Sequence, residues 1–505
     1  MIKFFKKYHK WLSIVMTIFI LVFSVSGIIL NHRNFFSFVD VNRNYLPQEY
    51  RYNNWNNAAV KGTIKLNNDS ILIFGNIGVW LTDSSFTNFT NFSAGFPKGI
   101  DNKKISKIYK TKKGGLFAGT YFGLFKYDNK DNSWHEVTIP IHEKRIVDIT
   151  EKGDTLLVLS RSNLLKSTNY NDFDVVTLPE PENYDNKIGL FKTLWVIHSG
   201  ELYGITGKLI VDLIGLIFIF LTITGFVYFI NRYKIKNRKK KQKKRKSLKK
   251  LNRWYLKWHN KIGWITLVFL IVTTVTGMFL RPPLLIAIVY SKVDKIPFTK
   301  LDSPNPWYDK LRRIYHDEVN ERYIIATLDA VYYADDTFSS KLKKFKQQPP
   351  LSIMGVNVFE PVNDSVLLIG SFEGLFLWNT NSGSIIDYIE KKPYKPTLIQ
   401  GPPIGNHVVT GYSSHFKDKE VYFDFGRGAK VIGEYGRFVK MPLEIEQQPM
   451  SLWNAALEFH TARIYTPIFG SLYILIIPIA GFLILFILIS GTIVWFKKHR
   501  KNVTK

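Results

Sequence analysis

The chain has 505 residues, 46% hydrophobic and 15% aromatic, enough apolar material for several packed domains and too much for a disordered protein. Its formal net charge of +29 is unevenly placed: no Asp or Glu occurs from Met1 to Val39, from Leu213 to Val293 or after Glu458, and these stretches hold the apolar runs and the basic clusters, so the charge points to a membrane and away from nucleic acid. Without cysteine, disulfides, iron–sulfur clusters and thiolate haem ligands are excluded, and a metal would need His, Met, Tyr or carboxylate.

A bilayer core about 30 Å thick requires roughly 20 apolar helical residues, and four runs reach that length. They are Trp11–Leu30, Leu209–Ile230, Ile262–Leu280 and Ile468–Phe496, and with their flanks they predict membrane spans over 11–32, 208–231, 259–281 and 468–496. The first follows a basic leader like that of a secretory signal, yet it is longer than a signal core and no small-residue cleavage site follows, so it is expected to be retained. Lysine and arginine crowd the N-terminus (1–10), the loop 232–258 and the tail 497–505. The positive-inside rule places all three in the cytoplasm of a bacterial inner membrane, with both termini inside and segments 33–207 and 282–467 outside, in the periplasm of a two-membrane cell. The basic loop reads as a topology anchor drawn to anionic lipid.

Between the spans, short β-rich stretches alternate with turns. Asp69–Asp83, Gly114–Asp128, Asp154–Thr168, Arg322–Asp336 and Asp364–Asn379 share an apolar strand, a small or polar break and a second apolar strand, and a weaker copy covers Val408–Tyr435. Gly75 to Gly119 and Ala326 to Gly370 are each 44 residues apart, the spacing of propeller blades. Three blades before the central spans and two or three after them predict one all-β propeller split over the two outer segments, since separate fragments would leave strand edges unpaired. Gly75, Gly119, Gly123, Gly370 and Gly374 are expected at turns or close contacts, and Trp80, Trp134 and Trp378 in blade cores.

The membrane part is duplicated. His9 aligns with His259 and Gly27 with Gly277 at a constant offset of 250, and IHSGELYG (Ile197–Gly204) parallels FHTARIYT (Phe459–Thr466). Such repeats predict a pseudo-twofold bundle with function at the repeat interface. Five histidines lie at span ends: His9 and His259 at the basic face, and His32, His198 and His460 at the other, because His9 and His32 are about 34 Å apart along a helix. His135, His142, His316, His407, His415 and His499 read as surface or loop residues. Asp212 is the single acid inside a span, an expensive position that suggests pairing or function.

YHKWLS with the following run to SGIIL, the stretch IHSGELYGITGKLIVDLIGLIFIFLTITGFVYFINR, and the pair FHTARIY and ISGTIVWFKKHR resemble the PepSY-associated transmembrane family, which includes haem-containing ferric-siderophore reductases. The outer segments resemble propellers of the two-component-regulator type. The first resemblance implies two bis-His haem b groups, one held by His9 and His259 and one by His198 and His460. His32 is an alternative outer ligand or proton donor, Asp212 a support for a ligand imidazole, and Arg33, Arg281 and Arg463 lie where haem propionates would need neutralising. The implied function is a membrane electron-transfer protein that reduces an external ferric chelate or siderophore with electrons from a cytoplasmic or membrane donor. No catalytic triad, nucleotide loop, flavin or nicotinamide signature occurs, and whether the chain is an enzyme stays open at this point. The alternative is a non-enzymatic propeller-bearing sensor or assembly module.

Overall fold

Unbroken runs of Leu, Ile, Val and Phe become long helices because in hydrocarbon a backbone can satisfy its polar groups only internally. The computed structural model describes residues 2–352, 354–395, 405–417, 419–433 and 438–503. Tyr435 of the sixth strand-rich stretch, residues 504–505 of the tail and the side chain of His499 lie outside the described residues. The helices that organise the apolar part are α1 (Ile2–Asn31), α2 (Leu190–Ser199), α3 (Gly204–Lys240), α4 (Lys246–Ile265), α5 (Leu267–Phe279), α6 (Leu452–His460) and α7 (Ile476–Val503). They belong to one compact unit made of Met1–Phe36, Asn186–Ser303 and Leu452–Lys505, in which α1 packs on α3, α6 and α7, and α5 packs on α2 and α7.

Among the described residues, three segments are long and apolar enough to cross a membrane, Ile2–Asn31, Glu201–Lys240 and Arg463–Lys497. The third expected span is divided: α4 and α5 meet at a bend of 67°, so the total is four only if the pair counts as one broken span. Thr266 sits at the joint, where its N–H and its hydroxyl both bond to the Ile262 carbonyl, at 3.0 and 2.8 Å. A threonine hydroxyl bonded back to the preceding turn is a known cause of helix bending, and the apolar run Ile262–Leu280 conceals it because it contains no proline.

The second unit, Ser37–Asp185 with Pro304–Ser451, draws on both intervening segments. Each of the five strand-break-strand stretches holds an antiparallel pair, for example Ser70–Gly75 with Gly78–Asp83 and Val366–Ser371 with Gly374–Asn379. Each pair is the middle of a meander of consecutive strands, and a sixth, three-stranded sheet covers Val409–Phe416, Lys419–Asp424 and Gly428–Val431. The first strands of the second to sixth sheets share a register shift, at Ile105/Lys107, Ile146/Asp148, Leu311/Arg313, Val356/Val358 and Val409/Gly411. A bulge at one recurrent place adds the same local twist to each sheet.

First strands also touch in sequence. Gly62–Lys65 meets Ile105–Lys110, which meets Ile146–Lys152, then Leu311–Asp317, Val356–Asn363 and Val409–Phe416, and the last returns to Gly62–Lys65. Gly119, on the second strand of its sheet, makes room for the next sheet's first strand, since a Cβ there would lie 2.7 Å from Ile146 Cγ2. Two apolar cores mix the segments, one joining Trp55, Ile71 and Phe86 to Phe416 and Phe423, the other joining Leu157 and Leu164 to Trp307 and Ile325. Trp80, Trp134 and Trp378 are buried. Arg313 ties three sheets together by donating to the carbonyls of Val147, Val356 and Asn357.

One surface assignment is corrected here. His316 is buried on the strand Leu311–Asp317, with Nε2 2.5 Å from Asp336 Oδ1 and its ring against Tyr323. Arg313, Ile314 and Asp317 of the same strand are buried too, so the strand is covered on both faces and its place in the sheet, not polarity, decides the burial of His316.

Asp40 and Ser451 are opposed partners on antiparallel strands. Cα atoms of such pairs lie about 4.5–5.5 Å apart, within disulfide range. In this cysteine-free chain, Asp40→Cys with Ser451→Cys is expected to close a disulfide linking the two segments, seen as fragments that stay joined after cleavage near Gln242 and separate on reduction.

Candidate functional site

Four of the Ser-Gly and Thr-Gly pairs in the helices share one role: Ser26-Gly27 in α1, Thr224-Gly225 in α3, Thr276-Gly277 in α5 and Ser490-Gly491 in α7. Each forms a seat for one histidine. The hydroxyls donate to carbonyls of the turn before, Ser26 to Val22 at 2.6 Å, Thr224 to Phe220 and Thr276 to Val272 at 2.7 Å, and Ser490 to Ile487 at 3.0 Å. The glycine leaves room for the ring: a Cβ at Gly27 would lie 3.2 Å from Cε1 of His460, at Gly225 3.3 Å from that of His259, at Gly277 2.7 Å from that of His198 and at Gly491 3.0 Å from that of His9.

Nδ1 of each ring reaches the same two groups, a carbonyl and the hydroxyl three residues later. His460 meets Phe23 O at 3.1 Å and Ser26 Oγ at 3.0 Å, and His259 meets Leu221 O at 3.0 Å and Thr224 Oγ1 at 3.1 Å. His198 meets Thr273 O at 3.0 Å and Thr276 Oγ1 at 3.3 Å, and His9 meets Ile487 O at 3.0 Å and Ser490 Oγ at 3.2 Å. A carbonyl only accepts, and each hydroxyl spends its proton on its own helix. Nδ1 must therefore carry the hydrogen, which leaves Nε2 with a lone pair, the tautomer that binds metals.

Every seat is crossed between repeats. His9 and His198 of the first copy rest on α7 and α5 of the second, while His259 and His460 of the second rest on α3 and α1 of the first. The crossing brings equivalent histidines together, with ring centroids 6.4 Å apart for His9 and His259 and 6.0 Å for His198 and His460. Along α1, the step from His9 to the Phe23 seat of His460 is 14 residues, so the two pairs are about 21 Å apart along the helix. His198 and His460 each lie in the last turn of a short helix, and each is followed two residues later by a left-handed residue, Gly200 or Ala462, that turns the chain into the next helix.

The other predicted residues occupy separate positions. His32 Nε2 donates to Asp212 Oδ2 at 2.5 Å, and Asn31 Nδ2 donates to Oδ1 at 2.9 Å, so Asp212 supports His32 and no ring of the two pairs. Arg33 lies 4.0 Å over the Trp453 ring. Arg463 pairs with Glu458 at 2.5 Å. The buried Nε atoms of Arg463 and Arg281 have no hydrogen-bond partner among the described residues. The repeat alignment picks out Gly27 and Gly277 but not the hydroxyl residue before each of these glycines as a ring support. Their common spacing is the signal that was available.

Small-to-large changes in such a seat force a shift that typically costs about 1–3 kcal/mol. Gly277→Ala is expected to lower the thermal unfolding midpoint of the detergent-purified protein, because the ring of His198 cannot keep its place. Gly215→Ala, whose Cβ would meet Ile28 at 3.4 Å and the Ser24 carbonyl at 3.7 Å, ordinary contact distances, is expected to leave it nearly unchanged.

Solved structures that match parts of the chain include an extracellular domain from B. thetaiotaomicron described as that of a putative hybrid two-component system (10% identity, TM-score 0.36, covering 75% of this chain and 40% of that one). Another is PorZ, a surface component of the type-IX secretion system of Porphyromonas gingivalis (9% identity, TM-score 0.30, covering 77% of this chain and 40% of that one). The chain spans about a third of the length of the solved domains it matches first, 32%. No curated protein sequence matches it. The family model of the PepSY-associated TM region matches twice, over residues 2–232 and 189–498, and the two matches overlap across 189–232. The two matches together span nearly the whole chain, and the protein is a member of the PepSY-associated TM region family.

Proposed function

We propose that this membrane protein carries electrons through its bundle to a ferric chelate outside the cytoplasm, with one haem b held by His9 and His259 and a second by His198 and His460. The observation that carries the reading is the spacing of the two pairs. Two imidazoles that held one metal between them through nitrogens at about 2.0 Å each would have ring centroids roughly 6 Å apart. The centroids here are 6.4 and 6.0 Å apart. The donor set agrees with it, since all four rings are held as the Nδ1–H tautomer by the seats, in a chain without thiolates. Arg281 and Arg463, four and three residues beyond Gly277 and His460, offer buried N–H groups suited to the carboxylates of a tetrapyrrole.

Bound haem iron supplies one-electron redox chemistry, and the protein's part is to hold, orient and insulate it. Seats on the opposite repeat fix each imidazole in rotation and keep its proton on Nδ1. Pairs about 21 Å apart along α1 divide an insulating layer of about 30 Å into shorter transfers. His32, oriented by Asp212 and partly exposed, is suited to deliver a proton to the reduced chelate. The basic loop and both termini lie on the cytoplasmic side in this reading. The six meandering sheets, touching in sequence and back to the first, support one six-bladed propeller as the external unit that meets the chelate or a partner protein.

The purified full-length protein is expected to be red, with the split visible band of reduced low-spin bis-imidazole haem b. His198→Ala or His460→Ala is expected to remove about half the haem and abolish ferric-chelate reduction, with the protein still in the membrane. Colourless protein from haem-replete cells, or full haem content in both variants, would leave the external unit as a sensor or assembly module. Reporters fused at Asn129 and Asp364 are expected to register as external, and a cytoplasmic signal from either refutes the orientation.

A further inference from the structure

Where α3 runs past its apolar stretch it pairs with α4, and one cleft of about 320 Å³ between them is lined by Arg232, Lys236 and Lys239 of α3, Arg245 just before α4, Lys249 of α4, and a single apolar residue, Ile235. The α3 cations are spaced i, i+4, i+7, so that helix turns one basic face to the cleft, and Arg245 at the start of α4 and Lys249 in its first turn close it from the other side. Nothing in the sequence offsets them, because no carboxylate occurs between Leu213 and Val293. Like charges gathered in one cleft repel, and a multidentate anion relieves that repulsion with charge-assisted hydrogen bonds.

Depth narrows the anion. Arg232 lies two residues beyond the apolar run Leu209–Ile230, and Lys239 is about 10 Å further along the helix. The polar headgroup layer begins at the same point and is about 5–8 Å thick in each leaflet. On α4, exposed Leu251 and Trp254 lie among lysines, and the helix bends 67° away from α5, the arrangement of a segment lying in the interface. We propose that this cleft binds the phosphodiester headgroup of an anionic phospholipid and so clamps α3 to α4. The clamp secures the Leu221–Thr224 seat on one helix against His259 on the other. The assignment does not depend on what the histidines bind.

The test uses full-length protein in detergent, titrated separately with phosphatidylglycerol, phosphatidylcholine and inorganic phosphate, read by native mass spectrometry for lipid adducts and by the unfolding midpoint. Phosphatidylglycerol is expected to form a retained adduct and raise the midpoint, and phosphatidylcholine to do neither. The triple variant Lys236→Gln, Lys239→Gln, Arg245→Gln is expected to weaken the adduct by about a hundredfold. A control triple outside the cleft, Lys234→Gln, Lys241→Gln, Lys243→Gln, is expected to weaken it far less. Equal loss in the two triples would mean diffuse surface attraction and overturn the site. Inorganic phosphate binding as tightly as phosphatidylglycerol would overturn the lipid assignment in favour of a soluble phosphate compound. Absence of any adduct would overturn both, leaving the basic faces for an acidic protein.

Discussion

The hydrogen bond from each histidine Nδ1 to a carbonyl on the opposite repeat is the interaction on which the bundle depends. It satisfies a polar ring in apolar surroundings, where an unpaired group is costly. It also locks the two copies of the duplication together at four places. Because the same bond fixes the tautomer, packing and chemistry are one constraint. A ring that left its seat would lose its partner and also the orientation of its free nitrogen. The glycine beneath each ring follows from the same geometry, since Gly277 and Gly491 have no room for a methyl group.

Crossing between repeats gives the duplication its use. A histidine seated within its own repeat would give two similar but separate halves. Seated on the other repeat, it is brought beside its equivalent, and two centroid separations near 6 Å result from one rule applied twice. The supports differ in detail, serine on α1 and α7 and threonine on α3 and α5, yet each offers a hydroxyl whose own proton is engaged. Asp212 obeys the same economy with a different partner. It is an intramembrane acid kept in place by His32 and Asn31.

The β unit solves another problem, how two segments separated by the central helices make one core. Phe416 and Phe423 complete a cluster begun by Trp55 and Phe86, and Trp307 closes on Leu157 and Leu164. Either segment alone would expose these faces to water, at about 25 cal/mol per Å² of apolar surface. The buried guanidinium of Arg313, bonded to three carbonyls across three sheets, adds direction to a boundary that apolar contacts alone leave loosely specified.

By itself the sequence determined the apolar helices, the duplication, the strand pairs and the histidines worth watching. These depend on local composition, spacing and self-similarity, all of which are one-dimensional. It also put His9 level with His259 and His198 level with His460, because equivalent positions in a pseudo-twofold repeat share a depth. Only the tertiary structure decided that the rings rest on opposite repeats, that Ser26, Thr224, Thr276 and Ser490 support them, and that Asp212 belongs to His32. Those facts concern which helix faces which, and no residue spacing along a chain encodes that. The bend at Thr266 and the burial of His316 were hidden for a related reason. Each is set by a hydrogen bond or a strand's place in its sheet within an unremarkable local sequence, and packing alone gives it direction.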